Sequence, residues 1–212
     1  ALRGHRLLEP VTLPWDAGAI RAAVEACEAA LPDGAWPNWV LGNHDQSRVA
    51  TRLGEAPARV AAMLLLTLRG TPTLYYGDEV GLPDVPVPPG RVVDVAGRDP
   101  ERSPMPWTTG ANAGFSTADP WLPITDDPGT FSVEAQERAP GSMLALHRQL
   151  LALRRSQPAL HSGSWTGLDA PAGVIAYGRE HGETRFLVLL NLTRQPATVD
   201  LDCAWTIELS TG

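Results

Sequence analysis

The feature that most constrains this chain is an order of elements that occurs twice before residue 80: a helix, a short apolar run, then a polar cluster. Over residues 16–31 the apolar side chains Ile20, Val24, Cys27 and Leu31 step by four, three and four. Asp16 stands where an N-cap belongs, and Pro32-Asp33-Gly34 stops the pattern. Trp39-Val40-Leu41 then reads as a buried strand that ends at Gly42 and the polar run 43–48. A second helix opens near Pro57, carries Val60, Met63, Leu64 and Leu68, and ends at Gly70; it is apolar nearly all round and therefore well covered. Residues 71–76 form the next strand, with Gly77-Asp78-Glu79 at its end. Consecutive parallel strands need a connection of a dozen residues or more, so two such units predict parallel strands joined by crossover helices. If such units close into a (β/α)8 barrel, the chemistry gathers at the C-terminal strand ends, where Asp45 and Asp78-Glu79 both fall.

Residues 81–141 are rich in proline and glycine and show little periodicity, which is too long for an idle connector and predicts a functional loop. A third helix over residues 142–158 has Met143, Leu146, Leu150 and Leu153 on one stripe and Arg154 and Arg155 in its last turn. The period then changes from helical to extended. Residues 173–177, 184–192 and 197–201 read as strands of a small antiparallel module, separated by turns such as His181-Gly182.

Composition narrows the chemistry. All 17 basic residues are arginine, so a phosphate-binding lysine loop and Schiff-base catalysis are excluded within this chain. A net charge of -7 offers no basic field for a nucleic-acid backbone, and a neutral substrate fits better. Cys27 and Cys203 are far apart and form no zinc-knuckle or disulfide pattern; Cys27, among alanines, reads as a buried thiol. No run of about 18 apolar residues suggests a membrane span, and no signal-peptide pattern is present, so a cytoplasmic location is expected.

Gly42-Asn43-His44-Asp45 sets an imidazole beside a carboxylate at a strand end, where hydrogen bonds could grip a neutral ligand while the carboxylate stabilises developing positive charge. Two other readings compete with this one. Asn, His and Asp also build ordinary turns. The same four residues occur in two-metal phosphoesterases, but that chemistry needs further Asp and His ligands on other strand ends, and no Asp-x-His or Gly-His-x-His string is present. The other histidines, His5, His147, His161 and His181, have no partner cluster and read as surface or packing residues.

Longer strings decide between these readings. The run Trp36-Pro37-Asn38-Trp39-Val40-Leu41-Gly42-Asn43-His44-Asp45-Gln46-Ser47-Arg48 resembles a signature of the α-glucosidase (oligo-1,6-glucosidase and maltase-like) branch of the α-amylase family. Gly70-Thr71-Pro72-Thr73-Leu74-Tyr75-Tyr76-Gly77-Asp78-Glu79 is similar to that family's last barrel strand. Arg98-Asp99-Pro100-Glu101-Arg102-Ser103-Pro104-Met105-Pro106-Trp107, followed by Gly114-Phe115-Ser116 and Pro120-Trp121-Leu122-Pro123, is similar to the loop after it.

The resemblance, which covers about residues 14–201, implies an α/β fold: the C-terminal portion of a TIM (β/α)8 barrel, about strands six to eight, in residues 1–158. A small antiparallel β-sandwich domain would follow in residues 159–212. It implies that Asp45 is the transition-state-stabilising carboxylate and that His44 hydrogen-bonds the sugar hydroxyls in the first subsite. Arg98 resembles the loop arginine that closes the pocket at the nonreducing end, with Arg102 the second choice for that role. Arg48 would fix the loop behind Asp45 through an ion pair, and Asp78 and Glu79 would shape the pocket wall or cap within their loop. Trp107, Phe115 and Trp121 would stack on sugar rings or lie buried beneath the long loop.

The implied activity is retaining hydrolysis of terminal α-glucosidic bonds in malto- or isomalto-oligosaccharides, with an α-glucoside or oligosaccharide as the partner and no cofactor or metal. Retaining chemistry needs a nucleophile and a general acid about 5 Å apart. Neither motif is present, and the first dozen residues depart from the family pattern, so the chain is expected to be an inactive fragment of the longer enzyme. A transglycosylating relative (a trehalose synthase or sucrose isomerase) and a noncatalytic sugar-binding or interaction protein are the alternatives.

Overall fold

The computed structural model describes residues 13–212 together with the backbone of Leu7–Leu8; His5 and most of the first dozen residues lie outside the described residues. Leu7–Leu8 forms strand β1. Helix α1 covers Ala17–Ala30, and the Asp16 side chain caps it by accepting the Ala19 N–H at 2.8 Å. Its stripe of Ile20, Val24 and Cys27 is buried, as the spacing requires. Strand β2 is Asn38–Val40, with Trp39 in its centre fully enclosed and its Nε1 donating to the Arg69 carbonyl at 2.6 Å.

The second helix forms where the sequence pattern places it, and a short helix without a counterpart in the reading of the sequence precedes it. Helix α2, Val49–Leu53, ends at Gly54, which takes φ 87° and returns its N–H to the Ala50 carbonyl. Helix α3, Glu55–Thr67, starts immediately afterwards and buries Ala61, Leu64, Leu65 and Leu66 around its circumference. Strand β3 is Thr71–Thr73, three residues shorter than its apolar run, because the chain leaves the sheet before Leu74. The strands β1, β2 and β3 form one parallel sheet in that order, with Asn38 opposite Leu7 on one side and Thr71 on the other. The predicted parallel strands with helical crossovers are therefore present.

Residues 81–141 are ordered by single 3-10 turns and two short helices, α4 at Pro128–Phe131 and α5 at Val133–Glu137. Val80, Leu82, Met105 and Leu144 form a small core, with Phe131 and Val133 packed against it. The Gln136 amide ties it together, donating to the carbonyls of Val80 at 2.7 Å and Thr130 at 3.0 Å and accepting the Leu144 N–H at 3.0 Å. Helix α6, Met143–Ser156, and the short α7, Pro158–His161, follow. His147 on α6 is buried and bonds the Met143 carbonyl at 3.0 Å, so it is a packing residue.

The last sheet is an antiparallel meander of β4 (Ser164–Leu168), β5 (Val174–His181) and β6 (Thr184–Asn191). Two of these strands sit where the sequence pattern places them, and β4 has no counterpart in the reading of the sequence. The strand expected over residues 197–201 does not form. Those residues alternate correctly, but a strand needs a neighbour to satisfy its backbone, and among the described residues none pairs with them.

By internal contacts the chain divides into two compact units. One gathers Val60–Thr73 and Leu150–Gly212 with the segment that ends at Leu41; the other comprises Gly42–Arg59 and Leu74–Gln149. In the first, two buried arginines face only carbonyl oxygens. Arg154 donates Nη1 to Leu66, Leu68 and Leu160, each at 2.9 Å, and Nη2 to Gly70 at 2.5 Å. Arg179 donates to Ser164 at 2.9 Å, Gly163 at 3.1 Å and Thr67. Arg154 thus caps the last carbonyls of α3 from inside, rather than lying on the surface as a charge opposite the helix dipole of its own last turn. Among the described residues no helix is long and apolar enough to cross a membrane.

Candidate active site

The segment that follows β2 carries the polar cluster, and its backbone is shaped locally. Asn43 Oδ1 accepts the Asp45 N–H at 2.9 Å, a turn that Asn forms readily. Gly42 is required by a close approach: a Cβ there would lie 2.7 Å from Asp78 Oδ2. The Asp78 carboxyl is pushed up to about 7, chiefly by desolvation, with Arg48 pulling the other way.

Asp45 stands at the centre of a compact charged group. Its Oδ1 accepts from Arg98 Nη1 at 2.7 Å and from Arg102 Nη2 at 3.2 Å, while its Oδ2 lies 3.4 Å from His44 Nε2. Arg102 also donates Nε to the His44 carbonyl at 2.8 Å, so it grips both the backbone and the carboxylate of the cluster. The Asp45 side chain is still 46% exposed, so a ligand can reach it. The structure thus brings together all four residues singled out from the sequence.

Asp94 is the functional neighbour that the sequence did not reveal. Its two oxygens take Arg98 Nε at 2.7 Å and Nη2 at 3.0 Å, a bidentate pairing that fixes the guanidinium plane. The hydrogen bonds from Arg98 hold the Asp94 carboxyl well below the usual carboxylate range, and the same pair raises the Arg98 guanidinium. No spacing rule could have found it, because Asp94 lies in the irregular run Val92-Val93-Asp94-Val95.

Arg48 behaves differently from expectation. It is fully buried, its guanidinium lies 5.1 Å and 4.8 Å from the ring centres of Tyr75 and Tyr76, and Nη1 donates to the Tyr76 carbonyl at 2.6 Å. Among the described residues no carboxylate lies within ion-pair distance of it; Asp84 accepts its backbone N–H at 2.8 Å and bonds the Ser47 hydroxyl. Arg48 does fix the loop behind Asp45, through two aromatic faces and one carbonyl rather than an ion pair.

A concavity of about 330 Å³ is lined by Arg102 and Glu79 and by Trp107, Phe115 and Trp121. These three aromatics are 51%, 48% and 61% exposed, so they are not buried beneath the long loop. Among the described residues no group of three His, Cys, Asp or Glu converges as a metal site, and the two guanidiniums on Asp45 would repel a divalent cation.

Comparison with known proteins identifies the family. The family described as "Alpha amylase, catalytic domain" matches residues 10–163. The chain is 37% identical over 186 residues to Maltase A1 of Drosophila melanogaster, covering 81% of this chain and 32% of that protein. It is 38% identical over 164 residues to an amino acid transporter heavy chain of Homo sapiens, covering 76% and 24%. Among solved structures, the alpha-glucosyl transfer enzyme XgtA superposes with a TM-score of 0.83 at 35% identity, over 91% of this chain and 38% of that one. The trehalulose synthase MutB from Pseudomonas mesoacidophila MX-45 superposes with a TM-score of 0.77 at 29% identity, over 85% and 39%. The chain spans between about a quarter and two fifths of the length of these proteins. With its catalytic-domain match and a part-exposed carboxylate gripped by two arginines, the chain belongs to the α-amylase family of glycoside hydrolases and is related to that family's α-glucosidases.

Proposed function

We propose that this chain supplies part of the active site of a retaining α-glucosidase, with Asp45 as the carboxylate that stabilises the oxocarbenium-like transition state. His44, Arg98 and Arg102 hold the terminal glucose, and the nucleophile and general acid belong to a longer polypeptide. The single observation that carries this reading is the Asp45 carboxylate, fixed by guanidiniums at 2.7 and 3.2 Å yet open to solvent. A carboxylate oriented in advance requires no reorganisation as positive charge develops on the sugar ring, and fixed guanidinium N–H groups suit adjacent hydroxyls. In this reading residues 1–158 contribute barrel strands six to eight, residues 159–212 contribute to the β domain behind them, and the enzyme is cytoplasmic.

The test is kinetic. In the polypeptide that carries this chain, Asp45→Asn should lower kcat on p-nitrophenyl α-glucoside by about 10²-fold or more with little change in KM, the pattern of an interaction made only in the transition state. The 212-residue chain alone should show no turnover. Clear turnover by it would overturn the placement of the active site.

A transglycosylating enzyme is the second reading, favoured by the names of the two structural neighbours, one an alpha-glucosyl transfer enzyme and the other a trehalulose synthase. Both readings use Asp45 alike. Product analysis separates them, since hydrolysis releases glucose and transfer yields a new glucoside.

A further inference from the structure

Helix α2 starts without a cap of its own. Arg48 stands at its N-cap, where Ser, Thr, Asp or Asn is usual, and the Arg48 side chain makes no capping bond. In a capping box a carboxylate three residues further on reaches back to the N-cap N–H, but here Thr51 holds that position. Asp84, 36 residues after Arg48, supplies the missing group. Its Oδ1 accepts the Arg48 N–H at 2.8 Å, its Oδ2 takes the Ser47 hydroxyl, and its own N–H donates to Thr51 Oγ1 at 2.7 Å. The start of α2 is thus set by a residue of another segment, and with it the place of His44 and Asp45 just ahead.

The next residue faces the other way. Val85 is buried and donates its N–H to the Pro100 carbonyl at 3.1 Å, and Pro100 opens the 3-10 turn that ends at Arg102. Residues 84 and 85 are therefore bonded at once to the segment that carries Asp45 and to the turn that carries Arg102, with Arg98 directly before it. At the site itself these two segments meet through the guanidiniums of Arg98 and Arg102 on Asp45 and on the His44 carbonyl. Such contacts are made at the ends of long side chains, which lose much rotamer freedom when they are held, so they align two segments less firmly than short bonds made next to the backbone.

We propose that Asp84 is a positioning residue for the Asp45 group: bonded to Ser47 and Arg48, it holds the Asp45 carboxylate in register with Arg98 and Arg102. This rests on reading Asp45 as the transition-state carboxylate. A shift of about 1 Å in a catalytic group costs about 10²-fold in rate. Asp84 is one of two links, because Arg48 also joins the segments through the rings of Tyr75 and Tyr76, whose hydroxyls donate to the carbonyls of Glu101 and Ser103. Loss of Asp84 therefore leaves both segments folded and costs less rate than a full displacement.

Two hydrogen bonds report the alignment without any turnover. Arg102 Nε donates to the His44 carbonyl, across the two segments, whereas Arg98 Nε donates to Asp94, within its own loop. In NMR of the chain carrying isotope-labelled arginine, Asp84→Ala should make the Arg102 Nε–H exchange with solvent about tenfold faster and leave that of Arg98 within about twofold. Acceleration of both, or of neither, overturns the proposal. Ser47→Ala removes one of the two bonds to Asp84 and should give the same pattern at about threefold, so the test stands even where Asp84→Ala lowers the yield of folded protein.

In the polypeptide that carries this chain, Asp84→Ala should lower kcat on p-nitrophenyl α-glucoside about tenfold, with KM within about twofold. Asp84→Asn should recover most of that rate, because its amide can accept from the Arg48 N–H and donate to Ser47 Oγ. Combined with Asp45→Asn, Asp84→Ala should lower kcat no further, since a residue that acts through Asp45 then has nothing left to align. An equal loss in both backgrounds is that of a merely structural residue and overturns the proposal, as does an Asn variant as slow as the Ala variant. If Asp45→Asn itself leaves kcat unchanged, the reading of Asp45 fails, while faster exchange at Arg102 alone still upholds the alignment by Asp84.

Discussion

Arg154 and Arg179 in one compact unit and Arg98 and Arg102 in the other share a side chain but not a job. The first two are enclosed and bonded only to backbone carbonyls, whereas the second two are partly exposed and face the carboxylates of Asp45 and Asp94. A guanidinium closed by carbonyls leaves no donor for a ligand and locks the end of a helix in place. A guanidinium at an open carboxylate is neutralised on one side and can present its remaining N–H groups to a substrate. Arginine at every cationic position thus serves two ends, and burial alone separates them.

The comparison can be broken by substitution, and the largest effect belongs to the enclosed pair. Arg179→Met leaves the carbonyls of Thr67, Ser164 and Gly163 without their donor, and should lower stability by roughly 3 kcal/mol in a denaturant titration. A loss below about 1 kcal/mol would place Arg179 with the open pair.

Asp78 should give the next effect, as a dependence on pH. Its folded-state value of about 7 lies above the ordinary carboxylate value, so the folded chain keeps a proton that the unfolded chain has released. The stability that this group contributes is complete below about pH 4 and is lost as the pH rises through about 7. Asp78→Asn should flatten that part of the melting-temperature profile between pH 4 and 7, and an unchanged slope would remove Asp78 as its source.

Tyr177→Phe removes the buried hydroxyl that meets Thr67 Oγ1 at 2.5 Å and should cost about 1 kcal/mol in the same denaturant titration. The smallest effect belongs to the open pair. Arg98→Met should change stability far less than Arg179→Met does, since exposed ion pairs are screened, while weakening methyl α-glucoside binding about tenfold. A stability loss equal to that of Arg179→Met would erase the distinction.

Much of the fold follows from local pattern. The stripe of Ile20, Val24 and Cys27, the Asp16 cap and the strand around Trp39 were legible because each is set by neighbours within one turn or one pleat. The short helix Val49–Leu53 and the shortness of β3 were not, because five residues or fewer are too short to show a period. The missing strand at residues 197–201 shows the limit of periodicity: alternation describes a strand, but a partner makes one.

The site divides in the same way. The sequence alone determined that no lysine chemistry operates within this chain, that His44 and Asp45 stand together after a strand, and through its family-like strings that Arg98 and Arg102 belong with them. Only the tertiary structure decided that Asp94 orients Arg98, that Arg48 rests on two tyrosine rings, and that Trp107, Phe115 and Trp121 stay open around one hollow. The reason is separation along the chain: Asp45 and Arg98 are 53 residues apart, and a hydrogen bond over that distance depends on where the whole loop settles.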